Sequence, residues 1–125
     1  MWEIETTDEF DDWFESLGDD EKVETIAKVE LLKLFGPMLK RPHADTLNGS
    51  RYPNMKELRA KTRASVFRVA FAFDPLKTAI LLIGGDKKGV SEKTFYRQLL
   101  AKADKLYERH LKLVEKKKGY GDKYG

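Results

Sequence analysis

The side chains best suited to chemistry lie between Met55 and Asp74. At the period of two expected of β-strands, Arg59, Lys61 and Arg63 point one way and Leu58, Ala60 and Thr62 the other. In the run that follows, Phe67, Val69, Phe71 and Phe73 share a face, and Arg68 stands opposite with Ala70 and Ala72. Three or four cations on one face of a strand pair repel one another unless something anionic sits there. Such a face can hold a polyanion and stabilise charge that develops on a phosphoryl oxygen. The chain has no cysteine, which excludes disulfides and thiolate metal sites, and only two histidines. His43 falls in a loop-like stretch and reads as a surface residue; His110 falls on or beside a helical seam and reads as packing.

Charge is divided unevenly along the chain. Residues 1–32 hold twelve acidic and two basic side chains, and residues 33–125 hold nine acidic and twenty-two basic ones, for a net +3. That asymmetry suggests one side turned toward a polyanion and another kept away from it. At 125 residues the chain is expected to form one domain over 1–115, with a basic flexible tail over 116–125. No signal-peptide pattern and no apolar run of membrane-spanning length is present, so a reducing cytoplasm without membrane contact is expected. The glycosylation-like Asn48-Gly49-Ser50 reads only as a turn.

Several elements must position the cationic face. Trp2–Glu5 can form a short strand, and Thr7 suits the N-cap of a helix with Phe10, Trp13, Phe14 and Leu17 along one stripe. Gly18 ends that helix. Asp19 or Asp20 then caps a second one, with Val23, Ile26, Ala27, Leu31 and Leu34 on its apolar side and Gly36-Pro37 as its stop. Residues 37–54 read as loop, Thr78–Ile83 as a central strand, and Gly84–Gly89 as a loop. A phosphate loop of the Walker type would need lysine after Gly89, where Val90 stands, so nucleotide binding of that kind is rejected. A final helix from Ser91–Glu92 carries Phe95, Leu99, Ala103, Leu106 and Leu113 on its seam, with Lys93, Arg97, Lys102, Lys105 and Arg109 toward solvent. The expected class is α+β, in the order β-α-α-β-β-β-α. A small twisted, mostly antiparallel sheet carries an N-terminal helical hairpin and a C-terminal helix on its apolar face.

Leu47–Arg59, Phe67-Arg68-Val-Ala-Phe71, Gly85-Asp-Lys-Lys88 and Phe95-Tyr96, in this order and spacing, resemble the RelE/HigB/ParE superfamily of bacterial toxins, closest to its phage-derived HigB-type branch. The similarity spans roughly residues 2–113. It implies the RelE-like fold and the toxin of a toxin–antitoxin pair, most often a ribosome-dependent endoribonuclease that cuts messenger RNA. By the same resemblance Arg59, Lys61 and Arg68 occupy active-face positions, Lys87 or Lys88 the basic site after the last strand, and Tyr96 the aromatic position near the start of the final helix.

Ribonuclease chemistry needs no metal or cofactor when the RNA's own 2′-hydroxyl attacks the adjacent phosphorus. It needs a proton acceptor, a proton donor and positive charge on the phosphoryl oxygens, and a lysine among cations can exchange protons near neutrality. Lys61 is therefore the candidate base or proton relay, Arg59 and Arg68 bind the scissile phosphate, and Tyr96 stacks on a base or transfers a proton. Arg63, Lys87 and Lys88 are candidate RNA contacts. The expected partners are messenger RNA on the ribosome and a cognate antitoxin, of a helix-turn-helix, HigA-like kind by the resemblance. Two alternatives share the fold: a ParE-like poison of DNA gyrase that cuts no RNA, and an inactive relative that binds only RNA or antitoxin.

Overall fold

The computed structural model describes the backbone of residues 1–124 and the side chains of residues 1–117, so the tail expected over 116–125 lies almost wholly outside the described side chains. The elements are β1 (Glu3–Thr6), α1 (Asp8–Glu15), α2 (Asp19–Phe35), a 3-10 turn (Gly36–Met38), β2 (Ala44–Thr46), β3 (Lys56–Lys61), β4 (Val66–Phe73), β5 (Thr78–Asp86) and α3 (Glu92–Tyr124). They form an α+β fold around one sheet in the order β1-β5-β4-β3-β2. β1 runs parallel to β5, and every other neighbouring pair is antiparallel. One strand was not expected. β2 lies inside the stretch that reads as loop, where Ala44–Thr46 pairs with Lys56–Leu58.

Helices cover both faces of the sheet, not one. The large residues of β4, Val69 and Phe71, join Leu58, Ala79 and Leu81 beneath Phe10 of α1 and Leu32 of α2. The small ones, Ala70 and Ala72, join Ile80 and Leu82 beneath Phe95, Leu99, Ala103 and Tyr107 of α3. The alternation in β4 was legible; what it meant was not. Alanines opposite a row of aromatics mark the face onto which a long helix can lie close, rather than a face left to solvent. β5 is apolar on both sides for the same reason.

Helix registers follow from local contacts. Thr7 caps α1 by accepting a hydrogen bond from the Phe10 amide (2.9 Å), and Phe10 is buried with Trp13 and Phe14 packed beside it. The N-cap of α2 is Gly18 rather than Asp19 or Asp20, because Glu21 reaches back to the Gly18 amide at 3.0 Å. Its inward side is Thr25, Val29 and Leu32, while Val23, Ile26 and Leu34 of the expected stripe are 67%, 50% and 64% exposed. Polar anchors set this rotation: Glu21 accepts from the Ser65 hydroxyl at 2.8 Å in the β3–β4 turn, and Lys28 meets His43 at 2.9 Å. In α3 the seam runs Phe95, Leu99, Ala103, Tyr107 and Val114, and Leu113 is exposed. His110 does more than pack. Its Nε2 lies 2.7 Å from Asp74 Oδ2, while Asp74 Oδ1 accepts from the Leu76 and Thr78 amides, tying α3 to the β4–β5 turn.

Gly84 and Gly85 continue β5 instead of opening a loop. A Cβ on Gly84 would enter the Trp13 ring, and one on Gly85 would come within 3.0 Å of Phe95. These two positions let α1 and α3 close on the same end of the sheet from opposite sides.

The packing makes two predictions. Leu32→Ala should lower unfolding free energy by about 2–5 kcal/mol, and Leu34→Ala should stay within about 0.5 kcal/mol of wild type, as read by urea denaturation. Gly84→Ala should destabilise by roughly 1–3 kcal/mol through overpacking against Trp13, although alanine suits a strand better than glycine does. A stabilised variant would show that the indole does not occupy that space.

Candidate functional site

The β3–β4 ladder sets Arg59 directly opposite Arg68, and Glu57 opposite Ala70. All three therefore project from the α3 face, where the row of small residues in β4 ends and polar ones begin. Arg68 in turn pairs with Gly85, and the bare backbone there admits the Phe95 ring. Tyr96, the next residue, is thereby placed above the two arginines. Its position follows from a glycine on one strand and the first turn of α3.

Glu57 is at the centre of the cluster and 2% exposed. Its Oε1 accepts from the Tyr96 hydroxyl at 2.8 Å and lies 3.6 Å from Arg68 Nε; its Oε2 accepts from Arg59 Nε at 3.1 Å. Arg68 Nε also donates to the Tyr96 oxygen (3.2 Å), and its Nη1 donates to the Phe67 carbonyl (3.1 Å). Arg59 Nη2 donates to Asp45 Oδ2 at 3.2 Å, and Arg41 donates to the same carboxylate. Each arginine thus has its Nε turned inward. Arg59 Nη1 and Arg68 Nη2 have no acceptor among the described residues.

Electrostatics follow the contacts. Burial opposes the charge on Arg59, but the hydrogen bond and charge of Glu57, with Asp45 behind it, outweigh that and raise its pKa. Burial also raises the Tyr96 pKa above the ordinary 10.0, with Glu57 adding to the rise and Arg68 opposing it. The phenol therefore keeps its proton through the neutral range. Asp45 is held below the usual carboxylate range, chiefly by its hydrogen bond from Arg41.

Two hollows open beside the cluster. One, of about 320 Å³, is lined by Asp45, Asn48, Glu57, Arg59, Glu92 and Tyr96 among others. The other, of about 430 Å³, brings Arg59, Lys61 and Arg68 together at the β3 edge beside Lys28 of α2. Arg59 lines both.

Of the candidate residues, Arg59, Arg68 and Tyr96 are in mutual contact through Glu57, and Lys61 shares a hollow with both arginines. Lys61 is exposed and makes no ion pair among the described residues. Lys87 is drawn in: its Nζ lies 5.3 Å from the centre of the Tyr96 ring and 3.0 Å from Glu92. Arg63 does not share the strand face expected of it, because β3 ends at Lys61 and Arg63 stands exposed in the turn. Lys88 is exposed after β5, and no side-chain hydrogen bond or ion pair joins it or Arg63 to the cluster among the described residues.

The anion expected among these cations is in part the protein's own: Glu57 and Asp45, and Glu92 for Lys87. Glu57 could have been found, since it lies two residues before Arg59 and must share its face. Asp45 and Arg41 could not, because they reach the site through β2 and the chain before it, a stretch that reads as loop.

Comparison with known proteins places the chain in a family. The model of the family described as "Phage derived protein Gp49-like" matches residues 12–108. A Mycobacterium tuberculosis protein named "Putative toxin HigB3" is 41% identical over 99 residues, covering 79% of this chain and 84% of that one. A second from the same organism, "Putative toxin HigB2", is 38% identical over 104 residues, and there the match spans 82% of this chain but only 51% of the longer relative. With the family match running through the site and two HigB-type relatives at this identity, the chain belongs to the phage-derived Gp49-like family, on its HigB-type branch.

Proposed function

We propose that this protein is the toxin of a toxin–antitoxin pair and acts as a metal-independent endoribonuclease on messenger RNA at the ribosome. One observation supports this above the others: two arginines face each other across a strand ladder, each with one guanidinium nitrogen lacking an acceptor among the described residues, beside a protonated phenol. Outward-facing guanidinium nitrogens suit phosphate oxygens, with which arginine forms paired hydrogen bonds. The names of its HigB-type relatives agree with a toxin.

In the reaction the 2′-oxygen bonds to phosphorus as the bond from phosphorus to the 5′-oxygen breaks, which leaves a 2′,3′-cyclic phosphate. Lys61, acting as the neutral amine, takes the 2′ proton and becomes an ammonium. Arg59 and Arg68 neutralise the charge gathered on the phosphoryl oxygens, where such preorganised donors contribute most to rate. Tyr96 stacks on a base or supplies the proton to the departing 5′-oxygen, which its retained proton permits. Lys87, Lys88 and Arg63 contact the RNA backbone farther out. A cognate antitoxin, of helix-turn-helix HigA-like kind, is the partner that holds this activity in check.

Cleavage on translating ribosomes tests the assignment. Arg68→Ala and Lys61→Ala should each slow the chemical step by on the order of a hundredfold or more. Wild-type rates in both would misplace the site, and DNA damage with intact translation on expression would point to the gyrase poison instead. A separate measurement concerns Tyr96. Because its ionisation lies above pH 10.0, the rate ratio of wild type to Tyr96→Phe should stay level from about pH 6 to about pH 9. A ratio that collapses within that window would show a phenol ionising where the structure keeps it neutral.

A further inference from the structure

We propose that Glu57 is a positioning residue of this site: its carboxylate fixes the directions of Arg59, Arg68 and the Tyr96 hydroxyl, so the chemical step depends on it although it does not touch the RNA. This rests on the ribonuclease reading above for its kinetic consequence, but the arrangement itself stands on geometry.

A carboxylate that is 2% exposed is costly to desolvate, and an apolar residue would fill the same place without that cost. Beyond offsetting the charge of the two arginines, what the carboxylate adds is direction. Its two oxygens take hydrogen bonds from Arg59 Nε and the Tyr96 hydroxyl, with Arg68 Nε at ion-pair distance. A guanidinium is a rigid planar fork, so a partner on Nε determines where the far Nη atoms point. Arg59 Nη2 then reaches Asp45 and Arg68 Nη1 the Phe67 carbonyl, while Arg59 Nη1 and Arg68 Nη2 have no acceptor among the described residues and both side chains line the second hollow. The hydroxyl is oriented in the same way. Its proton is directed at Glu57 and its oxygen receives Arg68, which fixes the ring for stacking on a base; giving the proton to the 5′-oxygen instead would exchange the Glu57 contact for one to the RNA. Both Glu57 oxygens are engaged by the side chains they hold, and at 2% exposure the carboxylate is nearly covered by them.

The experiment compares Glu57→Gln, Tyr96→Phe and the double variant with wild type in single-turnover cleavage of messenger RNA on translating ribosomes. Glutamine keeps the shape but removes the charge and sets an amide against a guanidinium. Expected for Glu57→Gln is a fall of on the order of a hundredfold in the saturated rate, with half-saturating enzyme concentration changed by less than about threefold. The double variant should be no slower than the slower single one within about threefold, because both act through one arrangement. A spectroscopic titration of Tyr96, against Tyr96→Phe as blank, should show its ionisation moving down toward the ordinary phenol value in Glu57→Gln. Should that variant not fold, Glu57→Asp keeps the charge but shortens the reach, and the same two readouts should move in the same directions. Full cleavage rate in a folded variant, or singly additive losses with Tyr96 titrating as in wild type, overturns the proposal. If wild type cuts no RNA, the ribonuclease reading fails by itself, and the Tyr96 titration decides alone whether Glu57 holds the phenol; an unmoved titration then rejects it.

Discussion

Two guanidinium groups set opposite each other in a strand ladder repel one another unless an anion or solvent offsets their charge. At a separation of a few ångströms, like charges repel by roughly 3–4 kcal/mol near a protein surface, a large share of the stability of a small domain. Glu57 resolves this at Arg59 and Arg68, and Asp45 adds a second negative charge behind Arg59. The carboxylate does not simply cancel the cations. It takes a hydrogen bond from Arg59 Nε and lies 3.6 Å from Arg68 Nε, which leaves Arg59 Nη1 and Arg68 Nη2 without an acceptor among the described residues beside the second hollow.

The rest of the architecture delivers these residues to one end of the sheet. With helices on both faces, the interior has no room for charge except where packing gives out. Along the α3 side of β4 the sequence runs Ala72, Ala70, Arg68, and the change from small apolar to cationic marks the end of the helix-covered core. The first turn of α3 closes over that end through Phe95 on Gly85 and places Tyr96 beyond it. At the opposite end, His110 and Asp74 pin the same helix to the β4–β5 turn. The helix is thus anchored at two points along the sheet, and the position of Tyr96 is set by both.

Much of this was legible from residue types. Period-two alternation identified β3 and β4 and separated Arg59 and Arg68 from Leu58 and Val69; Thr7 announced its cap; and Phe95, Leu99 and Ala103 announced the α3 seam. The failures have specific causes. β2 is three residues long, too short for periodicity to register, and with it went Asp45. The outward turn of Val23, Ile26 and Leu34 reflects tertiary anchors at Glu21 and Lys28, to which an amphipathic pattern is blind. Gly84 and Gly85 read as loop because local propensity carries no trace of the Trp13 and Phe95 rings that need the space. Glu57 was visible, but a lone acid among cations reads as ordinary surface mosaic until its burial is known.

The parallel pairing of β1 with β5 carries a consequence for biosynthesis. Glu3–Thr6 finds its ladder partner only in Thr78–Leu81, so the first strand waits unpaired for about 75 residues of elongation, or roughly 4–15 s at ordinary translation speeds. Arg59 and Arg68 emerge in that interval, ahead of Tyr96 and of the helix that carries it. A nascent chain therefore carries its arginines before the phenol that completes their surroundings, and its first strand is paired only once β5 has been made.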